Sequence, residues 1–309
     1  MNVSSCSICK NKAVYRRLYS GESLCADCFK LSIVEKTKRT ISKYNMLRYG
    51  DRIAVSVSGG KDSLSLLHIM NNISKNNSTK LHAICVDEGI SGYRDEAIRL
   101  TKDFTEALDI PLTIVSYEDL YGVTLDEALE WRGERKTSSC SICGVFRRRA
   151  IDIAAKKVDA NVVATGHNLD DFLQTYLINL FSGDLAKIGL LNPALISKND
   201  FSSRRVKPFM EIYEQEIALY AYLSNIPFQS TNCPHMNEGM RSDIRIMLND
   251  LEAKHPGIKY SALKTTLGTA QGISFSDRKS ISKCEKCGNP SSSKICSVCK
   301  TIQLIKINK

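Results

Sequence analysis

From Asp51 to Asn225, short β-branched apolar runs alternate with longer segments whose apolar residues return every three or four positions. "DRIAVSVS", "KLHAICVD", "PLTIVSYE" and "ANVVATGHN" read as buried strands, the last with its C-terminal turn, and "RRVKPF" as a fifth. Helical periodicity appears in "LSLLHIMNNI", in "YRDEAIRLTKDFTEALD" through Ala97, Ile98, Phe104, Ala107 and Leu108, and in the short "TLDEALEWRG". After "SSCSICG" it returns in "VFRRRAIDIAAKKVD", "LDDFLQTYLINLFSG" and "EQEIALYAYLSN", and residues 241–254 add one more helix. Strands alternating with helices over about 170 residues predict an α/β layer fold, a parallel sheet with helices on both faces. "LSIVEKTKRTISKYNMLRYG" predicts a basic amphipathic helix ending near Gly50, and Gly183 to Ser203 is a less regular insertion.

The chain has 309 residues, 43% of them hydrophobic and 25% charged, which suits about two domains of a soluble globular protein. No apolar run approaches the roughly 20 residues of a membrane helix, and the N-terminus lacks a charged region followed by an apolar block, so cytoplasmic residence is expected. The net charge of +10 calls for an acidic partner. Seven Lys or Arg against two acids lie between Lys30 and Arg52, and "RRR" at 147–149 and "SSRRVK" at 202–207 form two further basic groups. Such groups neutralise phosphates along a polyanion.

Ten of the 12 cysteines form five C-x-x-C pairs. Cys6 and Cys9 with Cys25 and Cys28, and Cys284 and Cys287 with Cys296 and Cys299, read as two structural four-thiolate zinc sites. Each segment is too short to bury a core, so each should fold only with its metal. Cys140 and Cys143 have no second pair nearby, and Cys233 is the third ligand if the chain folds back. Three thiolates with an open position suit an iron–sulfur cluster with a free iron, a zinc site with an exchangeable ligand, or a metal-free persulfide trio. Cys85, inside "LHAICVD", reads as an inert core residue. The resulting organisation is a zinc module at 1–30, a basic linker helix at 31–50, a catalytic domain at 51–275 and a second zinc module at 276–309.

"SGGKDS" at 58–63 lies between the first strand and a helix, where backbone N–H groups and a helix N-terminus face an anion. A Walker loop requires four residues between its glycine and its Gly-Lys pair, and this spacing is absent. The stretch resembles the PP-loop, S-G-G-x-D-S, of the ATP pyrophosphatase superfamily. That resemblance implies that Ser58, Gly59, Gly60, Lys61, Asp62 and Ser63 hold the ATP polyphosphate with magnesium as bridge. It also implies cleavage between the α and β phosphates, with AMP passing to a carbonyl oxygen. Strand ends should hold the nucleoside: Ser56, Val57 and the backbone around Ile84. In "TGHNLDD", Gly166 lets ATP approach, and Asp170 or Asp171 holds magnesium or handles a proton, unless the pair is only a solvated helix start. His167 reads as a capping or packing residue.

"SGGKDS", "CSICGVFRRRA", "ATGHNLDD", the lone "NCP" and the two flanking zinc modules, in this order, resemble the TtuA-type tRNA 2-thiolation enzymes and their wobble-uridine relatives over nearly the whole chain. The resemblance implies adenylation of the 2-carbonyl oxygen of a tRNA uridine, in the T-loop or at the wobble position, and its replacement by sulfur. It implies a 4Fe-4S cluster on Cys140, Cys143 and Cys233, and sulfur from a ubiquitin-like thiocarboxylate carrier or from free sulfide. Arg147 matches a basic position that meets the ATP phosphates and is lysine in some members. Asp171 matches the catalytic aspartate best, with Asp170 close behind, and a homodimer is expected. The competing readings are a PP-loop amide ligase, which has no need of Cys140, Cys143 and Cys233, a cluster-free persulfide thiolase, and an ATP-regulated zinc RNA-binding protein.

Overall fold

The computed structural model describes residues 5–75, 79–132, 138–193, 203–235, 240–273 and 282–306. The chain opens with a two-stranded ribbon, β1 (Tyr15–Arg16) and β2 (Ser23–Leu24), followed by helix α1 (Ala26–Lys43). Then come β3 (Arg52–Val57), α2 (Lys61–Lys75), β4 (Lys80–Asp87), α3 (Arg94–Ala107), β5 (Leu112–Ser116), α4 (Tyr117–Tyr121) and α5 (Leu125–Trp131). The second half runs α6 (Ser139–Lys157), β6 (Val162–Thr165), α7 (Leu169–Phe181), α8 (Leu185–Gly189), β7 (Arg204–Val206) and α9 (Glu214–Leu223). Helices α10 (Arg241–Lys254) and α11 (Ile258–Gly272), the ribbon β8 (Ser282–Lys283) and β9 (Pro290–Ser291), and α12 (Ser297–Lys306) complete it.

Five strands form one parallel sheet in the order β5-β4-β3-β6-β7, with Ser56 paired to Ile84 on one side and Thr165 on the other. Side chains on a strand alternate between faces, and here both faces are buried. Ile53, Val55 and Val57 pack with Leu64, Leu67 and Phe172 on one side. Ala54, Ile84 and Val163 pack with Phe146, Ala150 and Ala154 on the other. Helices α2, α7 and α9 therefore share one layer, and α5, α6 and α12 the other. The two cysteine modules divide the same way: Cys6, Leu24, Phe29 and Ile33 join the first core, and Cys284, Cys296, Val298 and Ile305 join the second.

All five anticipated strands are present, while several element bounds differ from the sequence reading, and α11 and α12 were not anticipated. Helix α1 starts at Ala26 because Cys25 caps it, its sulfur accepting from the Cys28 N–H, and it stops at Lys43, before Asn45 turns to φ 47°. Helix α6 starts at Ser139, capped by the Ser138 side chain, so the Cys140–Cys143 pair lies within a helix and not ahead of it. "PLTIVSYE" ends as a strand at Ser116, whose hydroxyl caps α4. Helix α11, rich in threonine and glycine, is held by packing on α7 and α8. The insertion contains α8, with 194–202 outside the described residues, as is the domain boundary placed at 275. No described helix is long and apolar enough to cross a membrane.

Candidate active site

Strands β4 and β5 extend the sheet to one side of β3, while β6 and β7 extend it to the other. The turns after β3 and β6 therefore diverge and leave a crevice at the C-terminal sheet edge. Ser58 to Ser63 form the turn after β3. The Ser63 hydroxyl accepts from the Ser58 N–H at 3.0 Å and donates to the Gly60 carbonyl at 3.0 Å, closing the loop on the first turn of α2. Gly59 sits at φ 82°, and a Cβ there would lie 2.7 Å from the backbone oxygen of Ala97 in α3. Only glycine fits. Ser56 and Val57 end β3 beside β4, where Ile84 is buried.

Gly166 lies against the loop from the other side. A Cβ on it would come within 2.9 Å of the Asp62 carbonyl carbon and 3.0 Å of the Ser63 nitrogen, so the missing side chain lets the β6–α7 turn rest on the start of α2. This contact places Asn168 3.4 Å from Asp62. Asp62 also pairs with Lys61 at 2.9 Å, and Lys61 reaches Glu214 at the start of α9 at the same distance. Burial alone would push the Lys61 ammonium down, but Asp62 and Glu214 outweigh it and hold its pKa above the usual value. Burial raises Asp62 itself.

The two aspartates of "LDD" diverge. Asp170 is buried, paired with Lys259 and accepting the Glu214 N–H at 2.8 Å. Asp171 completes a capping box with Asn168 and faces the crevice, where Arg241 stands 3.8 Å away. Burial, and then the like charge of Asp62, raise Asp171 to about 6. His167 donates to or accepts from the Thr165 hydroxyl at 2.8 Å. Desolvation, and then the surrounding cations Lys207, Arg241, Arg147 and Arg205, lower its pKa. Cations from α6, β7, the β7–α9 turn and α10 thus converge on one basin containing two carboxylates.

The opposite wall is α6. Cys140 is exposed and Cys143 buried one turn later, and Cys233 is half-buried on the segment after α9. The Cys140 sulfur lies 3.8 Å from the carbonyl of His235, two residues beyond Cys233. Among the described residues, the sulfurs of each terminal four-cysteine set lie within 4.8 Å of one another, whereas those of Cys140, Cys143 and Cys233 do not all do so. Backbone N–H groups point at sulfurs in both terminal sets, as from Cys296 to Cys284 at 3.3 Å, a contact that favours thiolates. Burial raises Cys143, against the pull of Arg147.

Arg147, one turn after Cys143, is 3.3 Å from its sulfur and 2.9 Å from Glu88. Glu88 pairs in turn with Arg94 at 2.6 Å, and Arg94 donates to the Ser58 carbonyl at 2.9 Å. A continuous chain of contacts therefore joins the phosphate loop to the cysteine helix. Sequence reasoning missed Glu88, Arg94, Glu214 and Arg241, and named Lys207 only as part of the basic group at 202–207. The one available signal was position: Glu88 and Lys207 each follow the last residue of a sheet strand by one.

An S-G-G-K-D-S loop at the switch point of a parallel sheet is the arrangement of a PP-loop protein, and the PP-loop domain family matches residues 31–252. Residues 5–30 match the N-terminal LIM domain of the 2-thiouridine synthetase TtuA. The chain is 35% identical to the tRNA 2-thiolation protein NcsA of Haloferax volcanii, covering 97% of this chain and 99% of that one. It is 34% identical to the cytoplasmic tRNA 2-thiolation protein 1 of Laccaria bicolor, covering 98% and 86%. The solved U34-tRNA thiolase NcsA from Methanococcus maripaludis with its 4Fe-4S cluster superposes with a TM-score of 0.85 at 30% identity, over 98% of this chain and 97% of that one. The chain belongs to the TtuA/NcsA-type tRNA 2-thiolation family of PP-loop proteins.

Proposed function

We propose that this protein is an ATP-dependent tRNA thiolase that adenylates the 2-carbonyl oxygen of uridine 34 and replaces that oxygen with sulfur. The observation that carries the reading is that one crevice joins a PP-loop, a raised carboxylate at Asp171, and Cys143 in contact with Arg147. The choice of the wobble uridine rests on the whole-chain likeness to a U34-tRNA thiolase. In the first step the uridine oxygen attacks the α-phosphorus of ATP and pyrophosphate leaves. In the second, sulfur bonds to C2, and the C2–O bond breaks as AMP departs with the oxygen.

The residues divide the work as their positions allow. Ser58 to Ser63 and the N-terminus of α2 bind the polyphosphate, with magnesium at Asp62. Ser56, Val57 and the Ile84 backbone border the nucleoside. Asp171, raised to about 6, is the general base that takes the proton lost as the thiocarbonyl forms. Asp170, engaged by Lys259 and the Glu214 N–H, positions α7 and stays out of the chemistry. Arg147 offsets charge on the departing AMP. The basin of Arg147, Arg205, Lys207 and Arg241 receives the RNA phosphates.

Tetrahedral zinc with sulfur ligands near 2.3 Å sets sulfurs about 3.8 Å apart, which suits the two terminal sets. The sulfurs of Cys140, Cys143 and Cys233 do not all lie within 4.8 Å of one another, and three thiolates with an open position suit a 4Fe-4S cluster such as the similar U34-tRNA thiolase carries. When bound, that cluster supplies an open iron site for sulfide. Free sulfide or a ubiquitin-like thiocarboxylate carrier is the donor, the protein works in the cytoplasm, and it assembles as a homodimer. The test is mass spectrometry of nucleosides in position-mapped tRNA fragments from a deletion strain. Loss of 2-thiouridine at position 34 supports the reading; its retention there, with loss in the T-loop, transfers the activity to that site. Unchanged thionucleosides overturn it.

A further inference from the structure

We infer that Glu88 is a positioning residue of this reaction: it holds Arg147 against Cys143 and, through Arg94, ties that contact to the nucleotide loop. The inference rests on the thiolase reading above and assigns a role to a residue that touches neither nucleotide nor thiolate.

Glu88 follows β4 at the C-terminal sheet edge, its side chain 3% exposed. Its two oxygens are divided between two guanidinium groups, Oε1 to Arg147 Nε at 2.9 Å and Oε2 to Arg94 Nε at 2.6 Å. The backbone there is pinned: the Glu88 carbonyl accepts from Leu125 at 2.8 Å, and Gly89 has φ 66° with Thr124 2.7 Å from where a Cβ would stand. Arg94 is equally fixed. It is buried; its Nε meets Glu88 as an ion pair outside hydrogen-bond alignment, while its two terminal nitrogens donate to the Ser58 carbonyl at 2.9 Å and the Val86 carbonyl at 2.7 Å.

Arg147 differs from Arg94. Its side chain is 49% exposed, and its polar contacts among the described residues are Glu88 and the Cys143 sulfur. A long, half-exposed arginine samples several rotamers unless an anchor holds it. Glu88 is that anchor. Because its other oxygen is on Arg94, a shift of Ser58 as the loop takes up phosphate passes to Arg147 through two ion pairs.

Glu88→Asp tests the idea while keeping the charge. The side chain is one methylene shorter and cannot reach both arginines. The buried Arg94 cannot lose its carboxylate without a large desolvation cost, whereas Arg147 can turn to water, so the loss falls on Arg147. Thiouridine formation should fall about 10- to 100-fold in kcat. Binding of a non-hydrolysable ATP analogue with magnesium to the zinc- and cluster-loaded protein, followed by calorimetry, should stay within about twofold, because the Arg94 contact with Ser58 survives. In an Arg147→Met background the same change should cost no more than about twofold further, since a residue acting through Arg147 has nothing left to act on. Multiplying losses, or an unchanged kcat in the single variant, overturn the inference and leave the thiolase reading standing. A wild-type protein that makes no thiouridine takes both down. If Glu88→Asp fails to fold, Arg94→Lys replaces it: the cation stays but the fork onto Ser58 and Val86 is lost. ATP-analogue affinity should then drop about 3- to 10-fold, and an unchanged affinity overturns the coupling.

Discussion

Asp170 and Asp171 are consecutive, yet one carboxylate closes the interior and the other opens onto the crevice. Asp170 accepts the Glu214 N–H at 2.8 Å and pairs with Lys259, whose side chain is 4% exposed, while Asp171 faces Arg241 at 3.8 Å. The two asparagine variants should therefore separate stability from activity. Asp170→Asn leaves the buried Lys259 charge without its ion partner and should cost about 3–5 kcal/mol. Asp171→Asn keeps an oxygen for the Asn168 cap and should fold normally, while thiouridine formation falls at least about 100-fold. Thermal unfolding beside a thiouridine assay checks both. Equal activity losses with equal stability losses would mean that the pair acts only as a helix start.

The raised pKa of Asp171 gives opposite pH trends for activity and stability. As a base it works deprotonated, so the activity of the wild type should climb through a limb near pH 6. In the folded protein without ATP or magnesium, its pKa lies above the ordinary carboxylate value, so the folded state holds the extra proton. The contribution favours folding at low pH and is lost as pH rises through about 6. Asp171→Asn removes that loss and should be more stable than wild type at pH 8 by about 1 kcal/mol. This figure is discounted because the side chain is 35% exposed, and the gain should shrink at pH 5. Urea unfolding at the two pH values reads the difference, and a gain that is larger at pH 5 refutes it.

Glu216 fastens the N-terminal cysteine module to α9. Fully buried, it accepts from Arg17 at 2.6 Å, from Tyr19 at 2.8 Å and from Lys36 at 3.0 Å, while Tyr19 stacks on Tyr213 with ring centroids 5.0 Å apart. Burial lowers Lys36, and Glu216 is the main opposing influence that keeps it charged. Glu216→Gln takes the carboxylate from the buried Arg17, which keeps Glu22 at 3.3 Å, and from the half-buried Lys36, and should cost about 3 kcal/mol. Amide exchange should locate the loss: Tyr15 to Leu24 and α9 lose protection first, whereas the second core around Phe146 keeps it. Uniform loss across both cores would count against a local anchor.

Much of this arrangement is legible in the sequence because it depends on local chemistry. The β-branched runs became β3, β4, β5, β6 and β7; the loop residues are contiguous; and the terminal cysteine sets converge as their spacing requires. Helix starts set by caps were read less well. The Cys25 sulfur capping α1 is outside the usual Ser, Thr, Asp and Asn signals, and Ser138 was hidden among other small polar residues. The Glu88–Arg94–Arg147 contacts were beyond reach for another reason. They join β4, α3 and α6, and only the order of strands in the sheet brings those segments together. For the same reason the sequence could not separate Asp170 from Asp171, since Lys259 lies 89 residues away on a helix without a clear apolar period.

The three cysteine sets should respond differently to single substitutions. In the terminal sets the sulfurs lie within 4.8 Å of one another, and the ligands are part of the fold: Cys25 caps α1, and Cys284 and Cys296 are core residues. Metal binding is therefore folding energy there. Cys9→Ser should release one zinc of the two implied by these sets and lower the unfolding temperature, because the first turn of α1 loses its bound cap. Cys140, exposed at the crevice and outside both cores, carries little stability. Cys140→Ser, reconstituted anaerobically, should keep both zinc ions and its unfolding temperature while losing about four iron atoms and the brown cluster absorbance. Elemental analysis of the two variants beside wild type decides the matter. Unchanged iron in Cys140→Ser, with thiouridine formation lost, would show that Cys140 holds no cluster and serves the reaction as a free thiol.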